Sequence, residues 1–143
     1  MDETMTALRH GLRHVLRFAI PLVVTACGGE SGDPTAPPEV ETLSNIQSQV
    51  FDPFCAGHHG PSEMAAGLDL SAGRSFEDLV NVLSTQVGLN RVTPGDSEMS
   101  YLVHKIEGRT GIAGQRMPPA GAPLTQGQIA AIRRWIDAGA RNN

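Results

Sequence analysis

Seven residues, Phe54-Cys55-Ala56-Gly57-His58-His59-Gly60, constrain this chain more than any other stretch. They hold the one cysteine outside the N-terminal leader and tether, two of the five histidines, and a glycine directly after them. Thiolate and imidazole are good ligands for soft and borderline metals, and on a helical turn Cys55 shares a face with His58 (i+3) or His59 (i+4). The two histidines cannot both point at one atom, because neighbours on a helix are rotated by about 100°. A fold built on this stretch must carry one turn of chain, with its thiol and one imidazole, against a site completed from elsewhere.

The flanking pattern is helical. Ile46, Val50, Phe51 and Phe54 recur at helical spacing before Cys55, and Thr42 or Ser44 can cap that helix, Ser44 with Gln47 at capping-box distance. Pro53 is expected to break or kink it, leaving residues 55–59 in a helix end or the following turn. Ser75 with Asp78 marks a second, short helix through Leu79, Val80 and Val82. After the turn Pro94-Gly95-Asp96, Asp96 or Ser97 is placed to cap a third helix to about Ile106, with Met99, Leu102, Val103 and Ile106 as its apolar stripe. Residues 108–114 read as a loop that ends in Arg116-Met117-Pro118-Pro119. The last helix opens on a capping box, Thr125 with Gln128, buries Ile129, Ile132, Trp135 and Ile136, and ends at Gly139 in the C′ position. No alternation is long enough to build a sheet, so the expected fold class is all-α, small and loop-rich.

The chain divides into three parts. Arg9, Arg13 and Arg17 precede a short apolar run, 18–26, far below the roughly 20 residues a membrane-spanning helix needs, so 1–26 reads as an export signal. Asp2 and Glu3 are unusual in such a basic region and point to Met5 as the start of translation. Val24-Thr25-Ala26-Cys27 is similar to a bacterial lipobox, with Cys27 the lipidated residue; the alternative is a disulfide between Cys27 and Cys55, the two cysteines of the chain. Residues 27–41, rich in Gly, Ser and Pro, read as a flexible tether, and 42–143 as the folded domain.

Composition narrows the function. The net charge is −4, and removing 1–26, with two carboxylates and three arginines, makes it more negative still. With no basic stripe, nucleic acid is not an expected partner. Hydrophobic residues at 40% with aromatics at 4% make a thin core, which a large apolar cofactor would supplement. No Ser/His/Asp set, no phosphate-cradling glycine loop with its lysine, and no paired carboxylates at a plausible cleft are present, so catalysis is not expected.

From Leu43 to Ala140 the order of motifs resembles the small bacterial cytochrome c domains. The pieces are 55–60, Pro94-Gly95-Asp96-Ser97 with Tyr101-Leu102, Met117-Pro118-Pro119, and Leu124-Thr125 through Trp135-Ile136-Asp137-Ala138-Gly139-Ala140. Their attachment signature is Cys-x-x-Cys-His, in which the thiols add to porphyrin vinyl groups and the histidine binds iron. Here His58 stands at the second cysteine. The resemblance implies one haem c held by a single thioether at Cys55, with His59 as proximal ligand and Met117 as distal ligand. Met64 and Met99 are the rival methionines, His104 reads as a surface or satisfied histidine, and Trp135 as core. It further implies single-electron transfer to redox proteins of the cell envelope, by a domain anchored to the membrane through Cys27 and facing the periplasm or exterior. Two other classes stay open: a haem-free, surface-tethered interaction module, and a zinc or copper site on Cys55 with His58 or His59 that recruits His104 and Met117.

Overall fold

The computed structural model describes residues 41–143. The expected leader 1–26, Cys27 and all of the tether but residue 41 lie outside the described residues. Helix α1 (Leu43–Ile46) starts at Thr42, whose hydroxyl accepts the Asn45 amide at 3.2 Å. Ser44 does not form the alternative capping box. Its hydroxyl donates to the carbonyl of Asn143 at 2.8 Å, and Gln47 is drawn elsewhere. The chain then widens into a π-helical turn (Gln47–Phe51) before α2 (Asp52–Phe54). Side chains five apart align on a π turn, and Gln47 Nε2 donates to Asp52 Oδ1 at 2.6 Å across that step. Pro53 lies in the first turn of α2, where a missing amide is tolerated, and the helical path runs on to Cys55.

Cys55 ends the helix, and residues 55–59 form the turn after it: the amides of His58 and His59 both donate to the Cys55 carbonyl, at 3.1 and 2.9 Å. A two-residue antiparallel pair follows, β1 (His59–Gly60) with β2 (Glu63–Met64), too short to leave an alternating signature in sequence. A 3₁₀ turn (Ala65–Gly67) and α3 (Ser75–Leu79) lead into an irregular stretch held by single bridges such as Val80 to Val92. Helix α4 (Tyr101–Glu107) closes on Gly108, whose φ of 71° is a left-handed cap that favours glycine. Helix α5 (Gln126–Asp137) has the full capping box of Thr125 and Gln128 and ends with Gly139 at φ 100°.

Further expectations are corrected, among them the second helix, which stops at Leu79 short of Val80 and Val82 because Val80 turns extended. Ser75 caps nothing: its hydroxyl donates to Gln47 Oε1 at 2.7 Å, so α3 begins without a side-chain cap. The third helix starts at Tyr101, not near Asp96, because Asp96 Oδ1 takes the Met99 amide and Ser97 is tied to Asp137; Met99 consequently stands outside the stripe and half-exposed. Phe54 is exposed rather than part of the apolar face of the first helix. The core joins Ile46, Val50 and Phe51 to Val103, Ile106, Ile132, Trp135 and Ile136, with α5 packed on both α1 and α4. Burying each large aliphatic there contributes about 1.5–3 kcal/mol.

Candidate cofactor cavity

Between the 55–59 turn and the face of α4 lies a mainly apolar cavity, about 790 Å³ of non-protein space counted out to its mouth. It is lined by Cys55 and His59 of the turn, by Leu68, Leu70 and Leu79, by Tyr101, Leu102, Lys105 and Ile106 of α4, and by Met117. A second lobe shares Cys55, His59, Ala65, Ile106 and Met117 and opens past Phe54, His58, Pro118 and Pro119. Residues 55, 59 and 117, distant in sequence, therefore meet at one cavity.

The local chemistry at His59 is well defined. Its Nδ1 lies 3.0 Å from the Ala65 carbonyl, which can only accept, so Nδ1 carries the proton and Nε2 keeps its lone pair. Burial pushes the His59 pKa below its ordinary value; the Ala65 bond opposes this, while His58, Lys105 and Arg91 add to it through their charge. The ring is thus held neutral and oriented, the state a metal-binding imidazole requires. His58 turns away: its side chain is 69% exposed and its Nδ1 is 3.2 Å from Glu63 Oε2. Gly60, buried next to this turn, leaves no room for a side chain, since a Cβ would collide with the Ala56 carbonyl oxygen.

Cys55 is a free thiol, half-buried, with Sγ 3.7 Å from the Val50 carbonyl. Burial raises its pKa to about 11, so at neutral pH it is an S–H group rather than a thiolate. Met117 is placed from outside its own loop: its amide donates to the Lys105 carbonyl at 2.8 Å. Met64 and Met99, the other described methionines, are half-exposed and line neither lobe.

Compared with known proteins, the chain matches no family model, no curated protein and no solved structure. The reading of this cavity rests on its own chemistry.

Two buried cations in the wall have no signal in the sequence reading. Arg91 donates to the carbonyls of Asp78, Ala66 and Gly67 at 2.8, 3.1 and 2.9 Å. Lys105 donates to those of Ala113 and Gln115, both at 2.7 Å. Neither is paired with a carboxylate among the described residues, where the ion pairs lie elsewhere. Carbonyl dipoles offset only part of what it costs to bury a charge. Burial accordingly lowers the Lys105 pKa. His104, which a Cys/His metal site would have to recruit, lines neither lobe, and its Nε2 lies 2.6 Å from the Glu98 carbonyl. Among the described residues no three His, Cys, Asp or Glu side chains group as a metal site.

Proposed function

We propose that the cavity holds one haem and that the domain passes single electrons between redox proteins of a bacterial cell envelope, tethered there through a lipid on Cys27. The observation that carries this reading is the convergence on one apolar cavity of an imidazole with its Nε2 lone pair free, a thioether and a thiol, from His59, Met117 and Cys55. When bound, the group supplies an iron that cycles between ferric and ferrous states. The chain's residues do the rest. His59, oriented by Ala65, would serve as the proximal ligand and Met117 as the distal one, and a thioether favours ferrous iron and raises the reduction potential. Cys55 would hold the group through a single thioether to one vinyl carbon, its S–H hydrogen going to the neighbouring carbon, which needs no oxidant. His58, which points out to Glu63, contributes no second bond. Arg91 and Lys105 fit the two carboxylates of haem, which would supply the counter-charge that the described protein residues do not.

The reading is tested by a pyridine haemochrome spectrum on protein made with a cytochrome c maturation system, before and after acid-acetone extraction. Haem that resists extraction, with an α-band between the two-thioether and free-haem positions, is the expected result. Extractable haem would leave the electron-transfer reading without its covalent bond. No haem would overturn it in favour of an interaction module.

A further inference from the structure

After Gly108 the chain runs without regular structure to Thr125, yet its central part is registered against α4. The Ala113 amide donates to the Tyr101 hydroxyl at 2.9 Å. The Lys105 ammonium donates to the carbonyls of Ala113 and Gln115. The Met117 amide donates to the Lys105 carbonyl. These bonds fall on every second residue, 113, 115 and 117, and the last bears the sulfur. Tyr101 and Lys105 are one helical turn apart, so they share a face, and both side chains are buried in the wall that faces the cavity.

A neutral side chain of the same length would fill this space without the cost of burying a charge. What the ammonium adds is strength and reach: charge-assisted hydrogen bonds are about twice as strong as neutral ones, and one Nζ can hold two carbonyls at once. The Tyr101 hydroxyl is itself fixed, donating to Gln86 Oε1 at 3.3 Å. Taking the proposed haem site as given, the geometry points to Tyr101 and Lys105 as positioning residues that clamp the 113–117 segment to α4 and so set where the Met117 sulfur stands. The thioether and the helical wall of the cavity are thereby made one rigid unit, and the sulfur is in place before any cofactor arrives.

Methyl-labelled methionine NMR on the full chain, without and with haem, tests this. Met117→Leu assigns the resonance. Without haem, wild type should show Met117 as one dispersed methyl signal. In Lys105→Leu it should move toward the positions of the half-exposed Met64 and Met99, with a smaller shift the same way in Tyr101→Phe and partial recovery in Lys105→Arg. Ile46→Val, a core change on α1 rather than α4, should leave it in place and so separates positioning from general loosening. With haem, ring current should carry the coordinated Met117 methyl far upfield in wild type, and that signal should be lost in Lys105→Leu. A Met117 signal that is the same in wild type, Lys105→Leu and Tyr101→Phe would overturn the clamp. If Lys105→Leu does not fold, Tyr101→Phe decides. If wild type takes up no haem, the haem reading falls, while the haem-free spectra still decide whether these two side chains position Met117.

Discussion

Nδ1 of His59 and the carbonyl oxygen of Ala65 stand 3.0 Å apart, and that bond fixes both the tautomer and the direction of the ring. The neighbouring His58 has no such partner inside the fold; its exposed pair with Glu63 is worth about 0–1 kcal/mol. The two histidines should therefore behave oppositely on substitution. His59→Ala should abolish the Soret band of the maturation product, and His58→Ala should leave it. His58→Cys should move the haemochrome α-band to the two-thioether position. Equal losses from His58→Ala and His59→Ala would refute the assignment.

Gly60→Ala should destabilise the domain by about 1–3 kcal/mol, because the added methyl meets a backbone oxygen that cannot swing aside. Gly57→Ala, where the added atom meets nothing within 4 Å, is the control. Urea unfolding followed by Trp135 fluorescence measures both. A neutral Gly60→Ala would mean the turn can relax away from Ala56.

Arg91 and Lys105, without a carboxylate partner among the described residues, predict a preference among porphyrins. A hydrogen bond to a charged group contributes about 1.5–3 kcal/mol, so haem dimethyl ester should bind about tenfold more weakly than haem, or worse. The gap should shrink in Arg91→Gln and in Lys105→Gln. Competitive Soret titration reads the ratio, and equal affinities in wild type would show that neither cation meets a carboxylate.

Acid should loosen the junction of α4 and α5. Glu98 sits between Arg109, at 2.8 Å, and Arg133, and both guanidinium groups also reach Glu107. Hydrogen bonds from Arg109 and then Arg133 hold the Glu98 pKa down to about 2, against an ordinary 4.5. A depressed carboxylate contributes stability above its unfolded pKa and loses it as pH falls toward the folded one. The contribution of Glu98 is therefore complete above about pH 4.5 and fades toward pH 2. Glu98→Gln should flatten that part of an acid-unfolding curve followed by circular dichroism, and 1 M salt should reduce the difference. Superimposable curves would remove Glu98 from the network's contribution.

Local signals were readable where local physics decides. Helix α5 follows from Thr125, Gln128 and the spacing of Ile129, Ile132 and Ile136, because cap and stripe lie within the element. An α-helical count puts Phe54 on the buried face, but the π turn before it rotates the chain less per residue and leaves later side chains on another face. Ser75 has the look of a cap, but its partner Gln47 is 28 residues away, beyond any local rule. The site divides the same way. Cys55, His59 and Met117 are singled out by the resemblance, and the structure brings the three to one cavity. Arg91, Tyr101 and Lys105 gain their meaning only when three separate segments meet, and nothing in a single sequence marks that meeting.

The first helix of the domain is completed from 100 residues away. Asn143 receives the Leu43 amide on Oδ1 at 3.0 Å, and the Ser44 amide on its carbonyl oxygen at 3.0 Å. During synthesis, then, the segment carrying Cys55 leaves the ribosome about ninety residues before the contacts that finish its packing exist, and contacts so distant in sequence form late. In the closed domain burial raises the Cys55 pKa to about 11, so on the haem reading a thioether there would form more readily before the domain closes over the thiol.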